Sequence, residues 1–378
     1  MKIENVILSR REFQKAAATS CVACGLLLSG ASLPAGCVGG GSSPGLDRIR
    51  CMGTMLRMGH CAPTVMHTLI EEGRSDPDYT RLITLSAGLP GGIGNMGCEC
   101  GGVTSSLMHL GLTPGMDEKS QNIPLLIHVG RKYMRAFQSM HGSIRCDEIN
   151  TPESGKKACI EAVCSARGLV SGAKRDAGDA LLSAELTKEY EILLDIFQDE
   201  SFHCAHSVLS ELSDLIDYDT IIGNATRGFI GGMALSGLTC GAFVAGVVAI
   251  GSVIGEIEDS VPRVLRMMWM MKNGENALAD DVNKFNRPMN IGTKLGEWFS
   301  EQFGSTQCRD IIDADLSMPV GVQKYIREDG VPRCRKIAEK TAGKVRELII
   351  DAQTSPVTPS LHESLPSEET NNTTSGCF

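Results

Sequence analysis

Aromatic residues are scarce: Phe, Trp and Tyr make up 4% of the 378 residues. A β-sandwich or barrel leans on aromatic and β-branched cross-strand pairs, so that scarcity argues against one. Positive charge is short too, with 36 Lys+Arg against 45 Asp+Glu and a net charge of −9. An acidic chain suits neither a nucleic-acid backbone nor an anionic membrane surface as its main partner. There is no P-loop and no H-E-x-x-H. There is also no Cys-x-x-Cys-His, which removes covalent c-type haem. What the chain does have is 42 Gly and 15 Cys. That Cys content is too thin for a disulfide-scaffold mini-protein and high for an ordinary enzyme. The length allows two domains of roughly 100–200 residues each.

Both ends read as something other than fold. Ser9-Arg10-Arg11-Glu12-Phe13-Gln14-Lys15 precedes a weakly apolar run from Ala16 to Leu33. This resembles the bacterial twin-arginine signal, which implies export of a folded protein to the periplasm or another extracytoplasmic space. Residues 1–37 are therefore set aside from fold reasoning, Cys21 and Cys24 with them. Leu33-Pro34-Ala35-Gly36-Cys37 is similar to a lipoprotein cleavage box, with Pro34 where an aliphatic residue is usual. Cys37 is accordingly the candidate lipid anchor. Residues 353–378 are rich in Ser, Thr, Pro, Glu and Asn and read as a disordered tail.

The body of the chain repeats itself. Gly59-His60-Cys61-Ala62-Pro63-Thr64-Val65 recurs as Phe202-His203-Cys204-Ala205-His206-Ser207-Val208. The Gly-rich stretch 88–101 recurs, without a gap, as 228–241. Phe137 to Cys146 recurs as Phe299 to Cys308, and Cys159 matches Cys334. Four Cys positions are thus shared: 61/204, 100/240, 146/308 and 159/334. The loops between them changed length while these thiols stayed. Cys51, Cys98, Cys164 and Cys377 have no match, and neither does Cys37.

Local patterns are helical. Val65, Met66, Leu69 and Ile70 follow Cys61 at helical spacing, and Lys132–Met140, Lys294–Phe303 and Ile337–Ile350 are amphipathic. No strand-like alternation persists. We expect an all-α chain of two tandem homologous helical domains, 51–175 and 185–352, made by internal duplication. Leu238 to Ile257 carries no charge until Glu256 and is long enough to span a bilayer. Its counterpart in the first half carries Thr104, Ser105, Ser106 and His109, and its own small residues suit close packing, so no transmembrane span is expected. Met267, Met268, Met270 and Met271 around Trp269 read as core filling.

The chemistry lies in the thiols. Cys100 and Cys240 each end a Gly-rich turn and open a helix, where the helix dipole stabilises a thiolate and lowers its pKa. His60 and His203 precede Cys61 and Cys204 and read as capping or surface residues rather than ligands. The plain reading of each matched Cys is a small buried hydrophobe. The fourfold match makes them candidate cofactor or metal ligands instead: Cys61, Cys100, Cys146 and Cys159 in one half, Cys204, Cys240, Cys308 and Cys334 in the other.

Each half resembles a small redox-active family with four Cys and a C-G-A-x-x-G motif, and the split-Soret cytochromes look similar in this part of their chains. The motif reads Cys100-Gly101-Gly102-Val103-Thr104-Ser105 in the first half, with Gly for Ala and Ser for the last Gly. In the second it reads Cys240-Gly241-Ala242-Phe243-Val244-Ala245, with the last Gly one place late at Gly246. The resemblance implies an all-α domain and an iron–sulfur or related thiolate-bound centre, and it supplies no substrate. The leading expectation is an exported redox or electron-transfer protein with iron–sulfur clusters and a redox partner protein. The alternatives are a metal-free thiol–disulfide protein and a scaffold held by structural zinc or disulfides.

Overall fold

The computed structural model describes residues 44–70, 78–113, 116, 123–151, 153–180 and 203–355. The twin-arginine segment, Cys37 and the tail from 356 on lie outside the described residues. The described residues contain fifteen α-helices and no strand, only the single bridges Glu99–Arg145 and Thr239–Gln307. The chain is all-α, as expected.

The first repeat runs α1 (Pro44–Met58), α2 (Cys61–Leu69), α3 (Asp78–Leu85), α4 (Gly101–Gly111), α5 (Ile123–His141), α6 (Cys146–Ile149) and α7 (Gly155–Ala180). The second runs α8 (Cys204–Glu211), α9 (Thr220–Thr226), α10 (Gly241–Ile254), α11 (Val261–Lys272), α12 (Asn286–Phe303), α13 (Cys308–Ile312), α14 (Pro319–Arg327) and α15 (Gly330–Thr354). The matched Cys positions pair α2 with α8, α4 with α10, α6 with α13 and α7 with α15; α5 pairs with α12. The longer intervals of the second repeat are filled by α11 and α14. Helix α15 continues to Thr354, slightly past the start assigned to the tail.

The apolar stretch 238–257 becomes the 14-residue helix α10, buried all round from Gly241 to Gly251. It packs against α12, α8, α15 and α3. Among the described residues no helix is long and apolar enough to cross a membrane. The Met cluster divides: Met267 and Met270 are buried, whereas Met268 and Trp269 are more than half exposed. Core filling therefore holds for two of the four Met, because α11 buries only one face.

The two Gly-rich stretches have the same backbone. Gly91, Gly92, Ile93, Gly94 and Asn95 all have positive φ, between 56° and 81°. So do Gly231, Gly232, Met233, Ala234 and Leu235, between 54° and 70° for the glycines and 52° and 59° for the rest. Each is a left-handed turn of five residues. The non-glycine members cost roughly 1–2 kcal/mol apiece. Identical hydrogen bonds close both turns: Gly94 N–H to Gly88 O and Ala234 N–H to Gly228 O, each 2.8 Å, then Gly97 N–H to Gly91 O (3.0 Å) and Gly237 N–H to Gly231 O (3.1 Å). A second matched set ties the turn to the helix that follows. Cys100 N–H reaches Ile144 O and Cys240 N–H reaches Thr306 O, both at 2.8 Å. Cys146 N–H reaches Cys98 O and Cys308 N–H reaches Leu238 O, both at 2.7 Å.

The repeats embrace each other. The left-handed turn of the first sits on α12 of the second: a Cβ on Gly292 would lie 3.0 Å from Gly94 Cα, and Thr293 Oγ1 donates to Gly94 O at 2.7 Å. The turn of the second sits on α5 of the first: a Cβ on Gly130 would lie 3.2 Å from Ala234 Cβ, and Arg131 donates to Ala234 O (2.9 Å) and Leu235 O (2.6 Å). Gly130 and Gly292 occupy matching places, so the two contacts are the same contact made twice. One hydrophobic core runs through both repeats.

Candidate functional site

Four separate segments deliver the sulfurs of each half. In the second repeat, Cys204 opens α8, Cys240 is the N-cap of α10, Cys308 opens α13 and Cys334 lies in the second turn of α15. All four line one enclosed apolar cavity of about 20 Å³, together with Ile230, Leu316 and Tyr325. That is room for about one water. In the first repeat Cys61, Cys100, Cys146 and Cys159 occupy the matching places on α2, α4, α6 and α7. The Cys100 thiol is close enough to feel charge on Cys61, Cys159 and Cys146, and Cys146 to feel Cys61 and Cys159. The eight matched Cys thus gather four by four.

The turns aim peptide groups at sulfur. Cys61 Sγ receives N–H groups from Gly91, Ala62 and Gly101, and Cys204 Sγ receives them from Gly231 and Ala205. Gly102 N–H donates to Cys100 Sγ at 3.4 Å. Glycine follows Cys100 and Cys240 for a steric reason. A Cβ at Gly101 would stand 2.6 Å from Cys61 Sγ, and one at Gly241 would stand 2.6 Å from Cys204 Sγ.

One electrostatic expectation is corrected. Cys100 and Cys240 do sit at helix N-termini, yet neither pKa is lowered. Burial pushes both thiols up, and the neighbouring pocket sulfurs push them further. Desolvation of the charged form outweighs the helix-end dipole, because a fully buried thiolate has no water to replace. Burial likewise lifts Cys204 to about 11 and Cys146 and Cys159 to about 12. All eleven Cys among the described residues are free.

His60 and His203 do precede their helices, but both are buried rather than on the surface. His60 Nε2 meets Asn286 Oδ1 at 2.7 Å, which ties the first repeat to α12. His203 Nε2 donates to Arg227 O at 3.0 Å, and its Nδ1 accepts the His206 N–H at 3.4 Å.

Two buried polar residues escaped the sequence reading, one in the second pocket and one between the repeats. Tyr325 on α14 covers the second pocket and hydrogen-bonds Cys334. The sequence signal was the interval from Cys308 to Cys334, twice as long as that from Cys146 to Cys159. Consequently Cys308 is buried whereas Cys146 is partly exposed. Glu99, between Cys98 and Cys100, is fully buried where the repeats meet. Its Oε1 accepts the Thr239 N–H at 3.3 Å. No sequence pattern distinguishes it from a surface Glu.

In the second repeat four sulfurs, an apolar wall and peptide N–H groups directed at sulfur make a donor set of the kind a thiolate-bound group uses, around a cavity with room for about one water. Among the described residues, however, no group of three or more His, Cys, Asp or Glu side chains is placed to hold a metal ion. Sulfurs around one ion stand about 2.3 Å from it, so they must crowd together, whereas a multi-iron cluster takes its thiolates from farther apart.

A family model described as "Putative redox-active protein (C_GCAxxG_C_C)" matches the chain twice, over residues 59–172 and 202–348. Each match spans one set of four matched Cys. No curated protein and no solved structure matches the chain.

Proposed function

The chain belongs to this redox-active family, and from that premise we propose that it is an exported electron-transfer protein holding one thiolate-ligated iron–sulfur centre per repeat. The single observation that carries the reading is that four thiols from four separate elements line one cavity in the second repeat, and their four counterparts stand within electrostatic reach of one another in the first. Cys61, Cys100, Cys146 and Cys159 would ligate one centre, and Cys204, Cys240, Cys308 and Cys334 the other. Such a centre supplies reversible one-electron transfer at a potential set by burial and hydrogen bonding.

The residues of the chain do the rest. The N–H groups of Gly91 and Gly231 donate to Cys61 and Cys204 and favour negative charge on sulfur. Tyr325 donates to Cys334 and lines the second pocket, while Cys146, partly exposed where its counterpart Cys308 is buried, leaves the first within reach of a redox partner protein. The twin-arginine pattern supports export after loading.

The test is the visible spectrum of anaerobically purified protein and of Cys100→Ser and Cys240→Ser. Each variant is expected to lose about half of the thiolate-to-iron absorption. Unchanged spectra in both would remove these residues from the ligand set. The second reading, a metal-free thiol–disulfide protein, is favoured by the lack of a metal-holding group among the described residues. A colourless protein whose pocket thiols cycle reversibly between reduced and oxidised forms would establish it.

A further inference from the structure

Two of the thiols that the repeat leaves unmatched meet each other. Cys51 lies on α1, before the first family match begins, and Cys164 lies on α7. The two thiols lie beside each other, near enough for each to shift the other's titration, and both are free. One turn earlier on each helix, Arg48 Nη2 pairs with Glu161 Oε1 at 3.6 Å. The two rungs, 48–161 and 51–164, share one register, so α1 and α7 run side by side in the same direction. Cys51 is 3% exposed, whereas Cys164 is only partly buried. The second repeat has no such pair: the place of Cys164 is taken by Glu339, counted from the match of Cys159 with Cys334.

We propose that Cys51 and Cys164 form a dithiol–disulfide site beside the first four-thiol pocket and sharing no sulfur with it, which reacts with low-molecular-weight disulfides and clamps α1 to α7 when oxidised. The inference does not depend on what the pockets hold. Cys164 is the attacking sulfur. It is the more accessible of the two, and the neighbouring Cys51 thiol, together with nearby Arg48, favours its thiolate. The thiolate attacks one sulfur of the small disulfide, forming a mixed disulfide and releasing one thiolate. Cys51 then attacks the Cys164 sulfur, its proton passing to the second leaving thiolate. The pair loses two electrons and two protons, and the small disulfide becomes two thiols. Cys51 is placed to resolve because it is already in contact with Cys164 and shielded from other partners.

The experiment titrates the anaerobically reduced full chain with oxidised glutathione, quenches in acid, alkylates and maps the peptides. The expected result is one disulfide joining the Cys51 and Cys164 peptides before any pocket Cys is oxidised. Cys51→Ser should instead accumulate a glutathione adduct on Cys164. In Cys164→Ser, residue Cys51 should oxidise at least about tenfold more slowly. The proposal is overturned if Cys51 and Cys164 remain alkylatable after the pocket thiols have oxidised, or if Cys51→Ser carries no adduct at Cys164. The wild-type arm needs no variant to fold.

Discussion

A methyl group at position 241 has nowhere to go. Its carbon would stand 2.6 Å from Cys204 Sγ and 2.5 Å from Phe229 O, and neither the backbone nor a pocket sulfur gives way cheaply. Gly241→Ala should cost about 1–3 kcal/mol, read as a lower midpoint in denaturant, and should displace Cys204. The same change on an open helix face should act oppositely. Gly168 on α7 and Gly343 on α15 have no atom within 4 Å of an added Cβ. Gly168→Ala and Gly343→Ala should each stabilise by roughly 0.5–1 kcal/mol, through the entropy that glycine loses in a helix. A stabilised Gly241→Ala would show that the close approach of α10 to Cys204 is wrong. His109 carries a pH prediction at this scale. Burial, with Lys174 beside it, lowers its pKa from 6.5 to about 3. The folded state therefore holds it neutral while the unfolded state takes up a proton. Its contribution is complete above about pH 6.5 and is lost as pH falls toward about 3. His109→Gln should flatten that acid limb in a series of thermal melts across the range, and an unchanged limb would contradict the assignment.

At the scale of elements, the left-handed turns and the helices they face are the structural signature of the duplication. Gly292→Val would drive a branched side chain against Gly94 and pry α12 from the first repeat, at a cost of about 1–3 kcal/mol. Melting at the wild-type temperature would contradict the packing. The helices themselves were readable from the sequence: Cys61–Leu69 and the amphipathic segments around Phe137 and Phe299 carry a 3.6-residue apolar pattern, and the run after Cys100 is apolar behind a Gly-rich turn. The left-handed turns were not readable as such. Glycine marks a break without stating its hand, and Ile93, Met233 and Leu235 adopt a conformation their residue types disfavour. Register and Cys identity could be aligned between the halves, so the four-by-four grouping was foreseeable. The raised thiol pKa values were not, because desolvation depends on how much protein closes over each sulfur, and α14 with Tyr325 closes over one pocket only.

At the scale of the molecule, two copies of one design share a core and differ at their pockets. In the second, α14 lies over the pocket and Cys308 is buried; in the first, the matching Cys146 is partly exposed and the Cys51–Cys164 pair lies on the flank. Were each pocket to hold a centre as proposed, the unequal burial of Cys146 and Cys308 would give the two different potentials, because exposure and hydrogen bonding to sulfur set that quantity. The most direct measurement is iron and acid-labile sulfide per chain in protein purified without oxygen from iron-replete cells. Both should be present in matching amounts, and Cys240→Ser should lower both together. Iron-free, sulfide-free protein with all eight pocket thiols titratable would contradict a thiolate-bound centre in either repeat.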